Sequence, residues 1–439
     1  MTTIVPGLSA VCSMKLFHSI FVSFALMLFA ASSWALPFGT FDPSALAMGG
    51  AGVALASGAN APYFNPAMLA RYSVRKELGN NSRLAFPVVS TRYSEALKDV
   101  SDFRTSDLDT NLSTAIDTFN TTNSTANAQS VLNASIALQD GLNKVSGSPL
   151  DFDTNVGFVI GIPSKHQGGA IIYNKRLVGD GLIEQTAADR ALLNAYVEAL
   201  SFVTSGGTQG AAHPELIDAG GNLIDPTGSL TSSARATAVL LTEIGMSFAG
   251  EVQLFHRSFN LGVTPKYIKV DTYDLSTTAT NSNLSTSGQR THDWGMNLDL
   301  GAEKQFSPHW RAGMVLKNLV SRDYDTELGN QVHVGPQWRA GVAWLRDDIQ
   351  LGVDLDLTRN RAVGAGDDSQ VLAFGGSWRL GHSFELLGGM QRNLKATGDQ
   401  KELLYSAGVQ ATWYKFQSVL SYAYNGVERA IGVRTGLRF

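Results

Sequence analysis

Two carboxylates two residues apart on a strand share one face, so Asp354 and Asp356 are the pair best placed for acid/base work or for holding a cation. On a water-facing wall the same spacing only lines the wall, and no nucleophile with a positioned base accompanies the pair. Asp107-Leu108-Asp109-Thr110-Asn111 begins as a calcium loop does. It then has Leu112 where the turn needs glycine and Thr118 where the bidentate glutamate belongs, so a solvated loop is expected. The chain has no Gly-x-Ser-x-Gly, His-Glu-x-x-His or Gly-Lys-Ser/Thr string, and its 8 histidines form no pair at helical ligand spacing. The single cysteine, Cys12, leaves no disulfide, no thiolate metal site and no thiol nucleophile elsewhere. These patterns nominate no catalytic residue, no cofactor and no metal site, and the reading is that the protein is not an enzyme.

The polar residues that recur at regular spacing do so every second position. In Ile349 to Thr358 the apolar Ile349, Leu351, Val353, Leu355 and Leu357 oppose Gln350, Gly352, Asp354, Asp356 and Thr358. Trp294 to Glu303 and Ile431 to Phe439 alternate in the same way. One face of each strand is therefore apolar and the other polar. The polar faces carry Asp299, Glu303, Arg311, Arg339, Asp354, Asp356, Arg379 and Arg434, together with Glu243, Lys266, Lys317, Glu385 and Arg438. Both signs are mixed, which suits salt-bridged packing around a plug or a weakly selective pore more than an ion-selective ring.

A soluble sandwich also alternates, and the tryptophans distinguish the two cases. Trp294, Trp310, Trp338, Trp344, Trp378 and Trp413 all fall on the apolar face near a strand end, where an interfacial girdle needs an indole whose ring is buried and whose N–H stays wet. The fold class expected is all-β, a transmembrane antiparallel barrel of about fourteen strands between residues 84 and 439, with outer-membrane lipid as its surroundings. Long and short connections alternate along it. That rhythm gives an even strand number and puts both termini on the periplasmic side, with Trp310, Trp344, Trp378 and Trp413 at the turn side and Trp294 and Trp338 at the loop side. The connections 94–150 and 180–236 are too long to be structureless. Helical spacing appears in Leu132, Ile136 and Leu142 of the first and in Leu193, Tyr196, Val197 and Leu200 of the second. Asn111 to Ser130, rich in Asn, Ser and Thr, reads as a flexible tip.

Composition agrees. Charged residues are 16% of 439, hydrophobic residues 44% and glycines number 44, a balance that fits neither a disordered chain nor a coiled coil. A net charge of -4 without a Lys/Arg run argues against a nucleic-acid partner. Residues 1–35 read as a secretory signal: Met14 and Lys15 precede the apolar run Ile20 to Ala31, which closes on Ser33-Trp34-Ala35. No apolar run long enough for a membrane helix follows. The expected location is the outer membrane of a Gram-negative bacterium. Phe439 ends the last alternating strand and is expected to be the signal read by the barrel-assembly machinery.

Ala47-Met48-Gly49-Gly50-Ala51-Gly52-Val53-Ala54, followed by Tyr63-Phe64-Asn65-Pro66-Ala67-Met68-Leu69, resembles the N-terminal region of the FadL-like outer-membrane transporters of long-chain fatty acids. With the inserted helical loops and the terminal Phe, the chain looks most like the exported barrels of the TraF-type conjugal-transfer family. The resemblance implies a fourteen-stranded barrel whose lumen holds an N-terminal hatch, residues 36–83 here, with Asn65, Pro66 and Ala67 as its motif. It implies passive uptake of a small hydrophobic ligand through the plugged lumen, or else a structural or assembly part in conjugal transfer or envelope biogenesis. One departure is plain: the chain has no Cys-x-x-Cys, so no disulfide-handling role carries over. Leu298, Leu300, Leu351, Val353 and Leu355 are expected to face lipid, and an Arg at whichever of them lies near the midplane is expected to cost more than an Arg at inward Gly352.

Overall fold

Strict alternation can satisfy lipid on one side and water on the other only if the sheet has no free edge, because unpaired backbone groups in hydrocarbon are costly. The computed structural model, which describes residues 35–56, 58–71, 83–164, 166–254, 256–278, 290–397 and 403–438, closes that edge. The wall is built from β1 (Leu84–Ser94), β2 (Phe152–Ile162), β3 (Gln167–Glu184), β4 (Ser233–Leu254), β5 (Arg257–Thr278), β6 (Arg290–Gln305) and β7 (Trp310–Lys317). A short hairpin, β8 (Arg322–Asp325) and β9 (Gln331–Val334), stands apart from it. The wall continues with β10 (Gln337–Arg346), β11 (Ile349–Asp356), β12 (Val371–Leu380), β13 (Phe384–Asn393), β14 (Leu404–Trp413), β15 (Phe416–Tyr424) and β16 (Glu428–Leu437). Each wall strand pairs antiparallel with its neighbours, and β1 pairs with both β2 and β16, with Val89 opposite Val156 and Val433. The barrel is closed with fourteen strands.

The alternation seen in sequence becomes an alternation of exposure. Along β15 every second residue from Phe416 to Tyr424 is exposed and the intervening ones are buried. Four of the five exposed residues are large and apolar, Phe416, Leu420, Tyr422 and Tyr424, and the fifth is Ser418. Exposed outside and apolar, buried inside and polar, is the reverse of a soluble core and is what a lipid-facing wall requires.

The strands are not of equal height. β4 and β5 have 22 residues each and β3 has 18, where about 9–11 span a bilayer. The surplus rises beyond the level of Trp294 on the loop side, so the inserted segment after β3 begins after Glu184 and ends before Ser233, later and earlier than the 180–236 expected from sequence. The first insertion holds helices Ala96–Thr105, Leu108–Thr121 and Thr125–Val145, and the second holds Ala187–Thr204. Their shared core includes Leu112, Ile116, Phe119, Leu142, Leu193, Tyr196 and Leu200.

Three expectations are corrected here. The Asn/Ser/Thr-rich stretch 111–130 is mostly helical and not a loose tip, because Leu112, Ile116 and Phe119 recur at helical spacing and are buried together. Ile136, expected on the helix's inner face, is exposed, while Leu132, Leu138 and Leu142 form the buried stripe. The Asp107 to Asn111 stretch is the start of a helix, with Asp107 at its N-cap.

Residues 35–71 run through the inside of the barrel as short helical pieces, Pro43–Ala47, Ala61–Phe64 and two single turns at Gly58–Asn60 and Pro66–Ala70. Their apolar residues share one cluster with inward residues of the wall, among them Phe64, Met68 and Leu69 with Val88, Val159, Ile172 and Val315. The signal-like residues 1–34, the stretch 72–82 and Phe439 lie outside the described residues.

Candidate functional site

The lumen and the segment inside it make the site. Asn65 adopts an extended backbone before Pro66, whose ring suits the first helical position, and caps the turn that follows. Its Oδ1 accepts from the Ala67 N–H at 3.1 Å, and its Nδ2 donates to the carbonyls of Val53 at 3.1 Å and Ala302 at 3.0 Å. One fully buried side chain thus caps a turn, joins the two halves of the internal segment and ties both to β6. The wall makes room for it with glycines. A Cβ on Gly301 would overlap the Asn65 side chain and one on Gly262 would overlap the Pro66–Ala67 backbone. On the other side of the lumen, a Cβ on Gly375 or Gly389 would overlap the Met48 backbone. The segment touches the wall backbone to backbone.

The lumen charges attach to the same segment. Asp354 accepts from the N–H groups of Gly52 at 2.7 Å and Val53 at 2.8 Å. Arg434 pairs with Asp42 at 2.5 Å, both fully buried, and also donates to Asn60. Lys317 donates to the Tyr63 carbonyl at 2.9 Å and lies 4.0 Å from the Phe41 ring centroid. Arg339 pairs with Asp356 and stands 3.9 Å above the Phe38 ring. Glu303 binds Arg71 at the turn-side end, with Asn260 donating to its other oxygen at 2.7 Å. Lys266 sits between Glu243 at 2.7 Å and Asp299 at 2.9 Å, and Asp299 also accepts from the Asn318 N–H.

Of the eight lumen residues nominated from sequence, Asp354 and Arg434 contact the internal segment by hydrogen bonds, Glu303 by its bridge to Arg71 and Arg339 by its stack on Phe38. Asp356 is one residue removed from it, held by Arg339, and Asp299 is paired with Lys266 within the wall. Arg311 is buried beside Glu303, and Arg379 lies across from Glu385 toward the turn side. Asp354 and Asp356 have different partners, one carboxylate engaged by backbone N–H groups and the other by a guanidinium. Sequence reasoning missed Asp42, Asn60, Tyr63 and the Arg176–Asp153 pair, whose two hydrogen bonds are both 2.9 Å. Asp42 had a legible signal, because Asp-Pro-Ser is a helix start and its carboxylate accepts from the Ser44 N–H at 2.8 Å.

Among the described residues, spaces remain beside the segment. A cavity of about 110 Å³ lies on the loop side between Pro37, Phe38, Arg92, Asp153, Asp180 and Arg339 and is polar. A smaller one of about 30 Å³, water-sized, separates Met48 and Leu55 from Gln350, Glu385 and Gln410. Gly352 faces Leu55 across that gap, and a Cβ there would overlap the leucine. The lumen at that height is filled by Leu55 and not by water, so a side chain larger than glycine at position 352 has to displace that leucine.

At the loop-side end of the segment, where its Leu36 joins the wall, the inward face changes character. Val178, Val239, Leu241, Ile268 and Val270 on the tall strands are apolar, and Tyr324, Val332 and Val334 of the β8–β9 hairpin cover them. The hairpin is pinned by the Asp325 carbonyl, which accepts from Thr272 at 3.2 Å and Thr291 at 2.6 Å.

On the outside, the six tryptophans all point away from the lumen. Trp413 is the most exposed at 83%, and Trp338 and Trp344 are half-buried between neighbours. Trp310 and Trp344 are register partners at the turn side, and Trp294 stacks on Tyr267 at the loop side with ring centroids 5.7 Å apart.

The family model described as "F plasmid transfer operon, TraF, protein" matches residues 62–356. The chain belongs to the TraF family. A search of curated proteins finds no match to this TraF-family chain. Among solved structures it is similar to a deltaS2 mutant of the TodX monoaromatic hydrocarbon channel, at 9% identity and a TM-score of 0.48, covering 92% of this chain and 100% of that one. It is also similar to the Pseudomonas putida toluene transporter TodX, at 9% identity and a TM-score of 0.44 over 93% and 100% of the two chains. A Pseudomonas aeruginosa FadL homologue matches at 8% identity and a TM-score of 0.44, covering 91% and 98%.

Proposed function

We propose that this TraF-family barrel resides in the outer membrane with its termini in the periplasm, closed by residues 35–71 acting as a hatch, and that it takes up small hydrophobic molecules. The observation that carries the reading is the apolar inner wall at the loop-side end of the hatch. Inward positions of a water-filled barrel are polar, yet Val178, Val239, Leu241, Ile268 and Val270 are apolar and lie under a separate hairpin. An apolar solute that displaces Tyr324, Val332 and Val334 finds the same surroundings they leave, so its entry costs little more than the hairpin's own contacts. The polar cavity beside Arg92 and the seated hatch then bar ions and water-soluble solutes.

The test is binding of radiolabelled laurate and of toluene to the purified barrel. Saturable binding is expected, weakened at least tenfold by Ile268→Asp or Val239→Asp in protein that still shows heat-modifiable migration. Absence of saturable binding in the wild type would sink the uptake reading. A second reading, a structural part of a transfer or envelope assembly, is favoured by how completely Asn65, Asp354 and Arg434 fix the hatch. Its mark would be envelope proteins co-purifying with the barrel and lost when residues 94–150 are removed.

A further inference from the structure

We infer that the outer wall carries a specific binding site for one glycerophospholipid, at a groove whose foot is Lys304. On the lipid-facing side of β6, β7 and β10, Ala302, Ala312 and Ala340 present methyl groups where neighbouring outward positions carry large side chains. Trp310 and Trp344 stand on the turn side of the dent and Trp338 on the loop side. The dent is a groove of about 430 Å³, continuing over Met314 toward Leu355 and Leu357 on β11. It crosses three strand spacings, roughly 14 Å, climbing from the turn side toward mid-wall.

A run of small residues in lipid is not by itself a site, and Lys304 is what distinguishes this one. It lies on the outward face of β6, opposite Ala312 in register and two pairs further into the wall than the Trp310–Trp344 pair. A cation there, at the headgroup boundary that tryptophans mark, needs an anion or water. Its Nζ lies 4.9 Å from the Phe259 ring centroid and donates to the Ser258 carbonyl, which uses one of three ammonium donors. The others remain for a phosphate oxygen. Groove and cation therefore match the two parts of one molecule, an acyl chain along the alanines and a phosphodiester at Lys304. The site faces away from the lumen, so it stands whether or not any solute passes through the barrel.

The experiment is native mass spectrometry of the detergent-extracted full chain titrated with palmitoyl-oleoyl-phosphatidylglycerol. The variants are Ala312→Phe, which fills the groove, Lys304→Gln, and Leu420→Phe on the outward face of β15 as a control. All are first checked for heat-modifiable migration. One phospholipid per chain is expected to survive collisional activation in the wild type and in Leu420→Phe, with its apparent affinity at least tenfold weaker in both other variants. Unchanged retention in Ala312→Phe overturns the site. Loss in Ala312→Phe with full retention in Lys304→Gln means that any amphiphile's tail fills the groove, and overturns the headgroup assignment. Displacement of the lipid by inorganic phosphate would likewise overturn it, because a phosphate alone would then be the ligand.

Discussion

At the scale of single residues, the buried pair Arg434–Asp42 decides how firmly the hatch is held. Both side chains are fully buried, and Asp42 also caps the helix Pro43–Ala47 and accepts from Asn60 at 2.9 Å. Removing one partner of such a pair leaves the other charge without compensation, whereas removing both can be nearly neutral. Asp42→Ala is therefore expected to destabilise the hatch-to-wall contact by about 3–5 kcal/mol, and Asp42→Leu with Arg434→Met by much less. Urea titration followed by protease cleavage within residues 35–71 would measure it, and equal sensitivity of the single and double variants would show that the pair is not the anchor. Asp354 and Arg434 were legible in sequence as inward charges because alternation fixes which face a residue takes. Their partners were not, since Gly52, Val53 and Asp42 lie some 300 to 390 positions away and no local pattern records a backbone N–H as a partner. Gly352 shows the same limit: its face was readable, and the Leu55 that fills the space beside it was not.

At the scale of elements, all fourteen wall strands could be read from period-two patterning, because lipid on one side and a polar lumen on the other hold the contrast along the whole strand. Their heights could not be read so well. The tops of β3, β4 and β5 leave the membrane and exchange lipid for loops, so the contrast that marks a strand's end fades there. The hairpin β8–β9 read as a plain loop, since four residues are too few to show a period.

The helix Ala187–Thr204 is held at its start by a local motif: Thr186 accepts from the Asp189 N–H at 3.2 Å, and Asp189 in turn accepts from the N–H groups of Thr231 and Ser232. Burial alone would push the Asp189 carboxyl up, but the donors from Ser232 and Thr231 outweigh it and hold the group below the usual carboxylate range. A depressed folded value means that the anchor's contribution is fully present above the unfolded value of about 4 and is lost as pH falls through the lower folded one. Acidification from pH 8 to 5 should leave the helix in place. Asp189→Ala should cost about 1–3 kcal/mol of local stability by leaving those N–H groups unpaired. Hydrogen exchange of residues 187–204 and 225–232 is the measurement, with faster exchange there and none in the wall strands. Uniform acceleration across β3 and β4 would mean that the motif supports the barrel and not the cap.

At the scale of the whole molecule, the strand pairing of the wall is independent of the hatch, whereas the hatch is held by hydrogen bonds to wall groups such as Asp354, Arg434 and the Ala302 carbonyl. The wall satisfies its own backbone by closing β1 on β16 and needs nothing from the lumen to do so. The lumen, in contrast, would be wide without the hatch, because fourteen strands enclose more space than their own inward side chains fill, and here many of those positions are glycine. Deleting residues 36–71 should therefore leave a barrel that still folds and inserts but conducts. Planar-bilayer recordings are expected to change from a nearly closed channel to a steady open one, and the mixed signs of Asp354, Asp356, Arg339 and Arg434 predict weak selectivity between cations and anions. The hairpin offers an internal check. It covers the apolar upper wall but makes no ring of contacts around the lumen, so removing residues 321–335 alone should raise access for hydrophobic solutes while ionic conductance stays low. If hatch deletion left conductance unchanged, a second barrier would have to be sought in the helical insertions above the mouth. If hairpin deletion alone opened the channel to ions, the hatch would not be the seal proposed above.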